Sequence, residues 1–218
     1  MIGVYVSVPV ACFRKGMARE FFETHPLPPP STCYGFLLSL VGEHDRRRHL
    51  GCRVTPAILG KPEVSVVLRT MWRVKNRELG HPQNLRPDFQ QLLSHVELVV
   101  WLDSSDETTA GAMLEQRVAA ALDPANRGDV ERSGGLCLGE STHLVDEVSP
   151  LERRPDMMGR KTRTFLLDPA GSTTLPVWVD HIGSAGTRWV TGELRPGPLT
   201  EPARERVPLI TDQEAADG

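Results

Sequence analysis

The first forty residues divide into an alternating stretch and a helically spaced stretch. In residues 2–12, apolar side chains occupy every even position, namely Ile2, Val4, Val6, Val8, Val10 and Cys12. A period of two predicts a β-strand with one buried face. After the prolines of 26–30, apolar side chains recur at helical spacing, namely Cys33, Phe36, Leu37, Leu40 and Val41. This spacing predicts a helix that begins near Ser31 or Thr32 and ends at Gly42.

The rest of the chain continues with strands and one more helix. Residues 44–62 are predicted to form a loop or short hairpin, because Pro56 and Pro62 interrupt them. Ser104 and Glu107 have the spacing of a capping box, so we expect the second helix to begin there. The strand after the loop has an apolar face made of Val64, Val66, Leu68, Trp72 and Val74. Further strands are expected at 95–102, 162–167, 174–180 and 188–194.

This order of elements predicts an α+β fold. A β-α-β-β-α-β order is typical of the ferredoxin-like (RRM-like) arrangement, here followed by a β-rich C-terminal region. Residues 76–92 contain Gly80, Pro82 and Pro87, so we expect an irregular excursion from the domain. We assign residues 1–194 to one domain, and we expect the Pro/Glu-rich residues 195–218 to be a flexible tail.

Composition narrows the class of protein. Charged residues make up 24% of the chain, apolar residues 39%, and the net charge is −3, as in ordinary soluble proteins. No apolar run has the length of a membrane span, so we expect a cytoplasmic protein without a membrane partner. The four cysteines have neither CxxC pairs nor metal-ligand spacing, so we expect reduced thiols and no metal. No P-loop or dinucleotide fingerprint occurs, so no cofactor is expected.

The densest group of basic residues lies in the stretch 69–86. It contains Arg69, Arg73, Lys75, Arg77 and Arg86 against the single acid Glu78. Alternation along a strand predicts that the first four project from one face, while Trp72 and Val74 pack on the other. Such a stripe is explained either by an edge strand protected by charge or by contacts to phosphates. The polar excursion that follows favours nucleic acid, because loops suit unstacked bases.

Two further basic pairs are candidates for RNA binding. Arg14 and Lys15 follow the first strand beside three phenylalanines, and Arg160 and Lys161 lie in the stretch GRKTR. Basic side chains next to aromatic rings are typical of single-strand binding, although buried phenylalanines and surface charges explain the same pattern. In the excursion, the polar side chains that could contact nucleotides or a neighbouring subunit are Asn76, His81, Gln83 and Asn84.

Catalysis has weaker support in the sequence. The HExxH and GxSxG motifs are absent. A metal-independent ribonuclease could use Tyr34, His81 and Lys75 as acid and base groups. We therefore expect no enzymatic activity and retain endoribonuclease cleavage of a precursor RNA as an alternative.

Several stretches resemble one known family. They are ACFR, PLPPPSTCYGFLLSLVGE, VVLRTMWRVKN and GGLCLGES, and the most specific is the corner and helix at 29–43. The chain resembles the CRISPR-associated family-five subunit of type I Cascade complexes, in the DevS-like branch of the RAMP superfamily. The resemblance implies a ferredoxin-like palm, with the excursion at about 76–92 serving as a thumb. One branch of the family cleaves precursor RNA with a tyrosine, a lysine and a histidine, but no matching Lys-His dipeptide occurs here.

The resemblance also implies partners. It predicts a non-catalytic RNA-binding subunit that holds the crRNA 5′ handle and contacts the filament subunit and the large subunit. Target DNA would be met indirectly, through the complex. The alternatives are the endoribonuclease and a protein-interaction module whose basic strand meets an acidic partner.

Overall fold

The computed structural model describes residues 1–16, 20–72, 78, 80–126, 128–132, 134–182 and 184–213. Within these ranges, the chain forms an α+β protein with a mostly antiparallel sheet and few helices, which confirms the predicted class. In chain order the elements are β1 (Ile2–Ala11), β2 (Phe21–Phe22), α1 (Pro30–Leu40), β3 (Arg53–Leu59), β4 (Glu63–Trp72), β5 (Leu85–Asp103), α2 (Leu114–Leu122), β6 (Glu147–Pro150), β7 (Lys161–Leu167), β8 (Thr173–Trp178) and β9 (Arg188–Pro198).

The longest strand, β5, belongs to two regions. The main sheet has the order β6-β1-β5-β3-β7-β9-β8, and the inner part of β5 lies between β1 and β3. The outer part pairs with β4 on one side and with the short parallel strand β2 on the other. We call β4, β2 and residues 85–92 of β5 the arm, and the rest of the sheet with its two helices the core domain.

Both faces of the inner part of β5 are covered. On one face, Leu98, Val100 and Leu102 belong to the cluster that packs beneath α1 and α2. On the other face, Val99 and Trp101 pack in a second cluster with residues such as Leu151, Met157 and Leu199. Burial on two faces explains the continuous apolar run of this strand.

The first helix follows its sequence pattern. Cys33, Phe36, Leu37 and Leu40 are buried, as predicted. The helix begins at Pro30 without a side-chain cap, because a proline in the first turn has no N–H that needs a partner. Gly42 ends it with φ +68°, and the Glu43 N–H donates to the Leu38 carbonyl (2.9 Å).

The second helix begins later than predicted. It starts at Leu114, although Ser104 and Glu107 have capping-box spacing. Ser104 Oγ donates to Glu107 Oε1 (2.5 Å), and the Glu107 carboxylate accepts from the Leu114 N–H (3.2 Å). The pair therefore caps the helix from a preceding loop, which satisfies a free N–H of the first turn.

The prediction of a loop or short hairpin for 44–62 was wrong for its second half, which contains β3. Pro56 lies within this strand opposite Val100. The β3–β7 ladder stops beside Pro56, which has no N–H to donate, and the Thr55 hydroxyl donates instead to the Phe165 carbonyl. A proline is tolerated in a strand where it does not have to donate a ladder hydrogen bond.

The expected boundary at residue 195 and the flexible tail do not hold for residues 195–213. Strand β9 crosses the boundary, and Leu199, Val207 and Ile210 are buried. The Val54 N–H donates to the Pro208 carbonyl (3.0 Å), and the Ile210 N–H donates to the Cys52 carbonyl (2.8 Å). A few buried side chains and backbone bonds hold this polar segment against β3.

The expected irregular excursion is largely a β-hairpin. Residues 85–92 continue β5 and pair in register with β4, from Trp72 opposite Leu85 to Glu63 opposite Ser94. Pro87 is accommodated opposite Thr70. Residues 76, 77 and 79 of the predicted thumb lie outside the described residues.

Candidate nucleic-acid interface

The end of β1 and the strand β2 are joined by a small hydrogen-bonded corner. Arg14 and Thr24 form an isolated antiparallel β-bridge, and the Phe13 N–H donates to Thr24 Oγ1 (2.9 Å). The Thr24 N–H donates to Gln91 Oε1 (3.0 Å), which ties the corner to β5. The corner therefore carries Arg14 and Phe22 to the base of the arm.

Two arginines from distant parts of the sequence meet at one aromatic ring. The guanidinium carbon of Arg14 lies 4.2 Å from the centroid of Phe22, and that of Arg69 lies 5.6 Å from it. Phe22 itself is buried, so its ring supports both side chains by cation–π contacts. We call Arg14, Phe22 and Arg69 the arginine pair site.

Within this site, Arg69 has only a long ion pair and one unsatisfied donor. Arg69 Nη1 is 4.0 Å from Glu140 Oε2, and Arg69 Nε is buried without a hydrogen-bond partner. Lys15 is exposed on the same corner as Arg14. Like charges held together in this way favour an anion beside them.

The loop GGLCLGES holds Glu140 in place. Gly139 has φ +97°, and a Cβ there would lie 2.7 Å from the Cys12 carbonyl oxygen, so only glycine fits. His143 Nδ1 accepts from the Cys12 N–H (3.2 Å), and burial lowers the pKa of His143 although Glu140 opposes the shift. A lowered pKa favours the neutral ring that this hydrogen bond requires.

An exposed apolar surface adjoins the arginine pair site. Phe21 and Phe89 are 40% and 44% exposed, with ring centroids 6.4 Å apart, and Leu68 lies opposite Phe89 at 63% exposure. Exposed rings next to arginines are suited to stacking unpaired bases. The prediction that Trp72 packs on the face opposite the basic residues was therefore wrong: Trp72 is exposed, as are Val64, Val66 and Leu68 on the same face.

The prediction that the phenylalanines near Arg14 are core holds for two of them. Phe13 and Phe22 are buried, whereas Phe21 is not. Sequence reasoning missed Phe89 and Glu140 as parts of the site. Phe89 follows Pro87 in a stretch expected to be irregular, and no sequence signal links Glu140 to Arg69.

Part of the predicted basic stripe lies outside the residues that the structure describes. Arg73, Lys75, Asn76 and Arg77 lie outside the described residues. Arg86 lies on the arm and pairs with Glu20 (3.3 Å). Its exposed ion pair is a weak one, so Arg86 stays accessible.

The remaining predicted residues are divided between two places. On the arm side, His81 Nδ1 accepts from the Gln83 N–H (3.2 Å), and Asn84 is buried, with its amide donating to the Glu78 carbonyl (2.9 Å). Asn84 is therefore placed to shape the hairpin end. Arg160 and Lys161 lie beside Gly60, where Arg160 Nη2 pairs with Glu97 (3.0 Å), so none of their contacts joins the arginine pair site.

The described members of the ribonuclease candidate do not form a site. Tyr34 is buried on α1, and its hydroxyl donates to the Arg46 carbonyl (2.8 Å). Burial raises the pKa of Tyr34 well above its usual range. His81 lies on the arm, just before the short 3-10 helix Pro82–Asn84, whereas Tyr34 lies in the core domain. Lys75 is outside the described residues.

Three general features of the described chain bear on the expectations about metals, membranes and thiols. Across the described ranges, no three His, Cys, Asp or Glu side chains come close enough to hold a metal ion. No α-helix in the part of the chain that the structure describes combines the length and apolarity of a membrane span. All four cysteines are free thiols.

Together these features define a small α+β protein whose arm carries arginines and aromatic rings, and comparison with known proteins gives its family. No family model matches the chain. A relative from Myxococcus xanthus (strain DK1622), named CRISPR-associated protein Cas5, is 51% identical over 219 residues, which is 99% of this chain and 100% of the relative. The chain therefore belongs to the CRISPR-associated Cas5 family, which confirms the resemblance seen in the sequence.

Two solved structures share the fold. One, described as "CRISPR RNA-guided surveillance complex", has a TM-score of 0.59 at 14% identity and covers 94% of this chain and 95% of its own. The other, described as "Crystal structure of Cas protein", has a TM-score of 0.51 at 15% identity and covers 95% of this chain and 97% of its own. At these identities the likeness concerns the fold.

Proposed function

We propose that this chain is a non-catalytic RNA-binding subunit of a type I CRISPR Cascade complex. It holds the 5′ handle of the crRNA at the arginine pair site and contacts the filament and large subunits. The observation that carries this proposal is the meeting of Arg14 and Arg69 over Phe22, next to the exposed rings of Phe21 and Phe89. Membership of the Cas5 family and the shared fold with a chain of a CRISPR RNA-guided surveillance complex support the setting.

The division of labour in the proposed site follows from its chemistry. The two guanidinium groups bind phosphates of the handle, which fixes its path without reading its sequence. The exposed rings stack on unpaired bases, a contact worth about 1–3 kcal/mol per base. Arg86 extends the phosphate path along the arm.

We further propose that the core domain has the ferredoxin-like arrangement. Four of its strands follow the order β6-β1-β5-β3, and each neighbouring pair is antiparallel. Both α-helices belong to the cluster on one face of these strands. In this arrangement the arm is the extension of the β3–β5 side and takes the part of the thumb.

The proposal that the subunit is not a nuclease rests on Tyr34. A phenol that is buried, hydrogen-bonded to a backbone carbonyl and raised in pKa is a poor proton donor or acceptor at neutral pH. We expect Tyr34→Phe and His81→Ala to leave guide maturation unchanged. A discrete cleavage product that disappears in either variant, with RNA binding retained, would establish the ribonuclease instead.

The binding role is tested with the purified chain and a fluorescent RNA of the cognate repeat. We expect the double variant Arg14→Ala/Arg69→Ala to bind RNA more weakly. The logarithm of its association constant should also fall less steeply with log salt, by about 1.4 in the slope, since each phosphate contact to a single strand contributes about 0.7. Arg47→Ala is the matched control, because Arg47 is an exposed arginine paired with Asp212 on another part of the surface. Equal affinity and equal slope in all three proteins would contradict the proposed site.

A further inference from the structure

The outer edge of β4 has no partner strand among the described residues. β4 runs for 10 residues and pairs with β5 along its whole length on one side. On its other side, no strand among the described residues pairs with β4. A long free edge of this kind is a template for pairing with another chain.

The backbone groups that point outward can be identified from one hydrogen bond. The Phe89 N–H donates to the Glu20 carbonyl (2.9 Å), so the backbone of Phe89 faces β2 and turns away from β4. Opposite residues of an antiparallel pair either exchange both of their hydrogen bonds or exchange neither. Leu68 lies opposite Phe89, so its N–H and C=O point to the free edge, and by alternation those of Val64 and Val66 do too.

The two end strands of the main sheet are protected, whereas β4 is not. β6 has only four residues and ends in Pro150. β8 contains Pro176 and packs against α1. β4 contains neither proline nor lysine, and Val64, Val66 and Leu68 are between 53% and 63% exposed. Short edges and prolines are the usual means by which proteins prevent edge-to-edge association.

We propose that two copies of this chain pair through β4 in the RNA-free subunit, antiparallel about a twofold axis at Val66. This register places Val64 opposite Leu68 of the partner subunit. The N–H and C=O groups of both residues point to the free edge, so the two residues can exchange hydrogen bonds. It also places Glu63 opposite Arg69 of the partner subunit. β4 carries only these two charged residues, and among twofold registers within β4 only this one pairs them.

The charges of β4 are suited to this contact. Glu63 is exposed and has no ion-pair partner among the described residues. Arg69 reaches Glu140 only at 4.0 Å. Because the interface has twofold symmetry, the Glu63–Arg69 contact occurs twice, and cross-strand pairs of opposite charge stabilise a sheet.

The core domain limits the length of the shared ladder. The Gly60 N–H already donates to the Lys161 carbonyl (3.2 Å), so β7 occupies the edge position beyond Pro62. The interface is therefore a single strand pair with its side chains, at the small end of protein interfaces. We expect a dimer with a micromolar dissociation constant.

The test is analytical ultracentrifugation of the full chain without RNA, from about 1 to 200 µM. We expect a reversible monomer–dimer equilibrium in the parent protein. Glu63→Arg and Arg69→Glu should each raise the dissociation constant about tenfold, since each places like charges opposite one another twice. The double variant E63R/R69E should return it to within about threefold of the parent. A monomer at 200 µM, association beyond the dimer, or no rescue in the double variant overturns the proposal.

A second pair of variants tests the backbone contact. Val66→Pro removes an outward N–H without touching the bonds to β5, so it should abolish the dimer at every concentration. Val66→Thr keeps the N–H and a branched side chain, and it should dimerise within about threefold of the parent. A thermal melt verifies that both are folded. Should Val66→Pro unfold, the charge-exchange series decides alone.

This proposal shares Arg69 with the proposed function, but it is tested separately from it. Glu63 and Val66 lie outside the arginine pair site, so E63R and Val66→Pro should bind repeat RNA as the parent does. A parent protein that dimerises but does not bind RNA would overturn the proposed function alone.

Discussion

The core domain and the arm are joined by strand β5, and an alternating strand in one region can be compared with an alternating strand in the other. In the core domain, Leu98, Val100 and Leu102 are fully buried beneath the helices. In the arm, the facing strand carries the same kind of alternation, yet Val64, Val66 and Leu68 are more than half exposed. Alternation therefore fixes which side chains share a face, whereas burial depends on whether another element covers that face.

The comparison is tested most strongly by the same substitution in the two regions. Leu98→Ala should lower the free energy of unfolding by about 2–5 kcal/mol, because it leaves a cavity in a packed cluster. Leu68→Ala on the arm should change it by less than about 0.5 kcal/mol. Urea titration of both variants at about 0.1 µM, where the proposed dimer is dissociated, measures the difference. Similar losses in the two variants would mean that the arm surface is covered in the free protein.

A charge network in the core domain is centred on Glu43. Glu43 Oε2 accepts from Arg117 Nη1 (2.5 Å) and Arg48 Nη1 (2.9 Å), and Glu43 Oε1 accepts from the Asp45 N–H (2.9 Å). Burial alone would raise the pKa of Glu43, but these contacts lower it to about 2. Glu43→Gln should therefore cost about 2 kcal/mol at pH 7.

The pH dependence of that cost follows from the direction of the shift. The pKa of Glu43 is lower in the folded chain than in the unfolded chain, so its contribution is complete above about pH 5 and is lost as the pH falls towards 2. The stability difference between the parent and Glu43→Gln should shrink over that range. A difference that stays constant from pH 7 to pH 3 would show that the carboxylate charge is not responsible.

The corner between the two regions should show an intermediate effect. Thr24 Oγ1 accepts from the Phe13 N–H and donates to the His25 carbonyl, both at 2.9 Å. Thr24→Val keeps the shape but removes both bonds, so we expect a loss of about 1–2 kcal/mol. Thr70→Val, at an exposed position of the arm, is the matched control and should be nearly neutral. Equal denaturation midpoints for the two variants would refute a structural role for the corner.

Removing the outer arm should have the smallest effect on stability. Residues 72–85 can be replaced by Asn-Gly between the paired residues Met71 and Arg86. Trp72 and Leu85 are at least 40% exposed, so the unfolding free energy should fall by less than about 1 kcal/mol. If the proposed function is correct, the same deletion prevents assembly with guide RNA and the filament subunit. Normal co-purification of the complex would argue against a thumb role.

The sequence predicted what local patterns control. The strand at 2–12, the helix over the residues after Pro30 and the C-terminal strands all follow from apolar spacing, and they were confirmed within a few residues. Arg14 and Arg69 were identified as candidates because basic residues are visible in a sequence. Their meeting at Phe22 was not predictable, since it depends on the pairing of β2 with β5 across more than sixty residues.

The failures have a common physical origin. The capping pair Ser104 and Glu107 acts on a helix that begins at Leu114, and Pro56 lies in a strand whose ladder ends beside it. In both cases a contact with another segment overrides a reliable local rule. The tail is a third example, because its described part has few apolar residues but places Val207 and Ile210 in the core.

The pairing of β1 has a consequence for folding during synthesis on the ribosome. Ile2 pairs with Leu102, and the only other neighbour of β1 in the described sheet is β6 at Glu147–Pro150. At about 5–20 residues per second, the first strand waits on the order of ten seconds before its first partner is synthesised. During that interval a segment with an apolar face emerges unpaired, which makes the nascent chain a candidate client for chaperones.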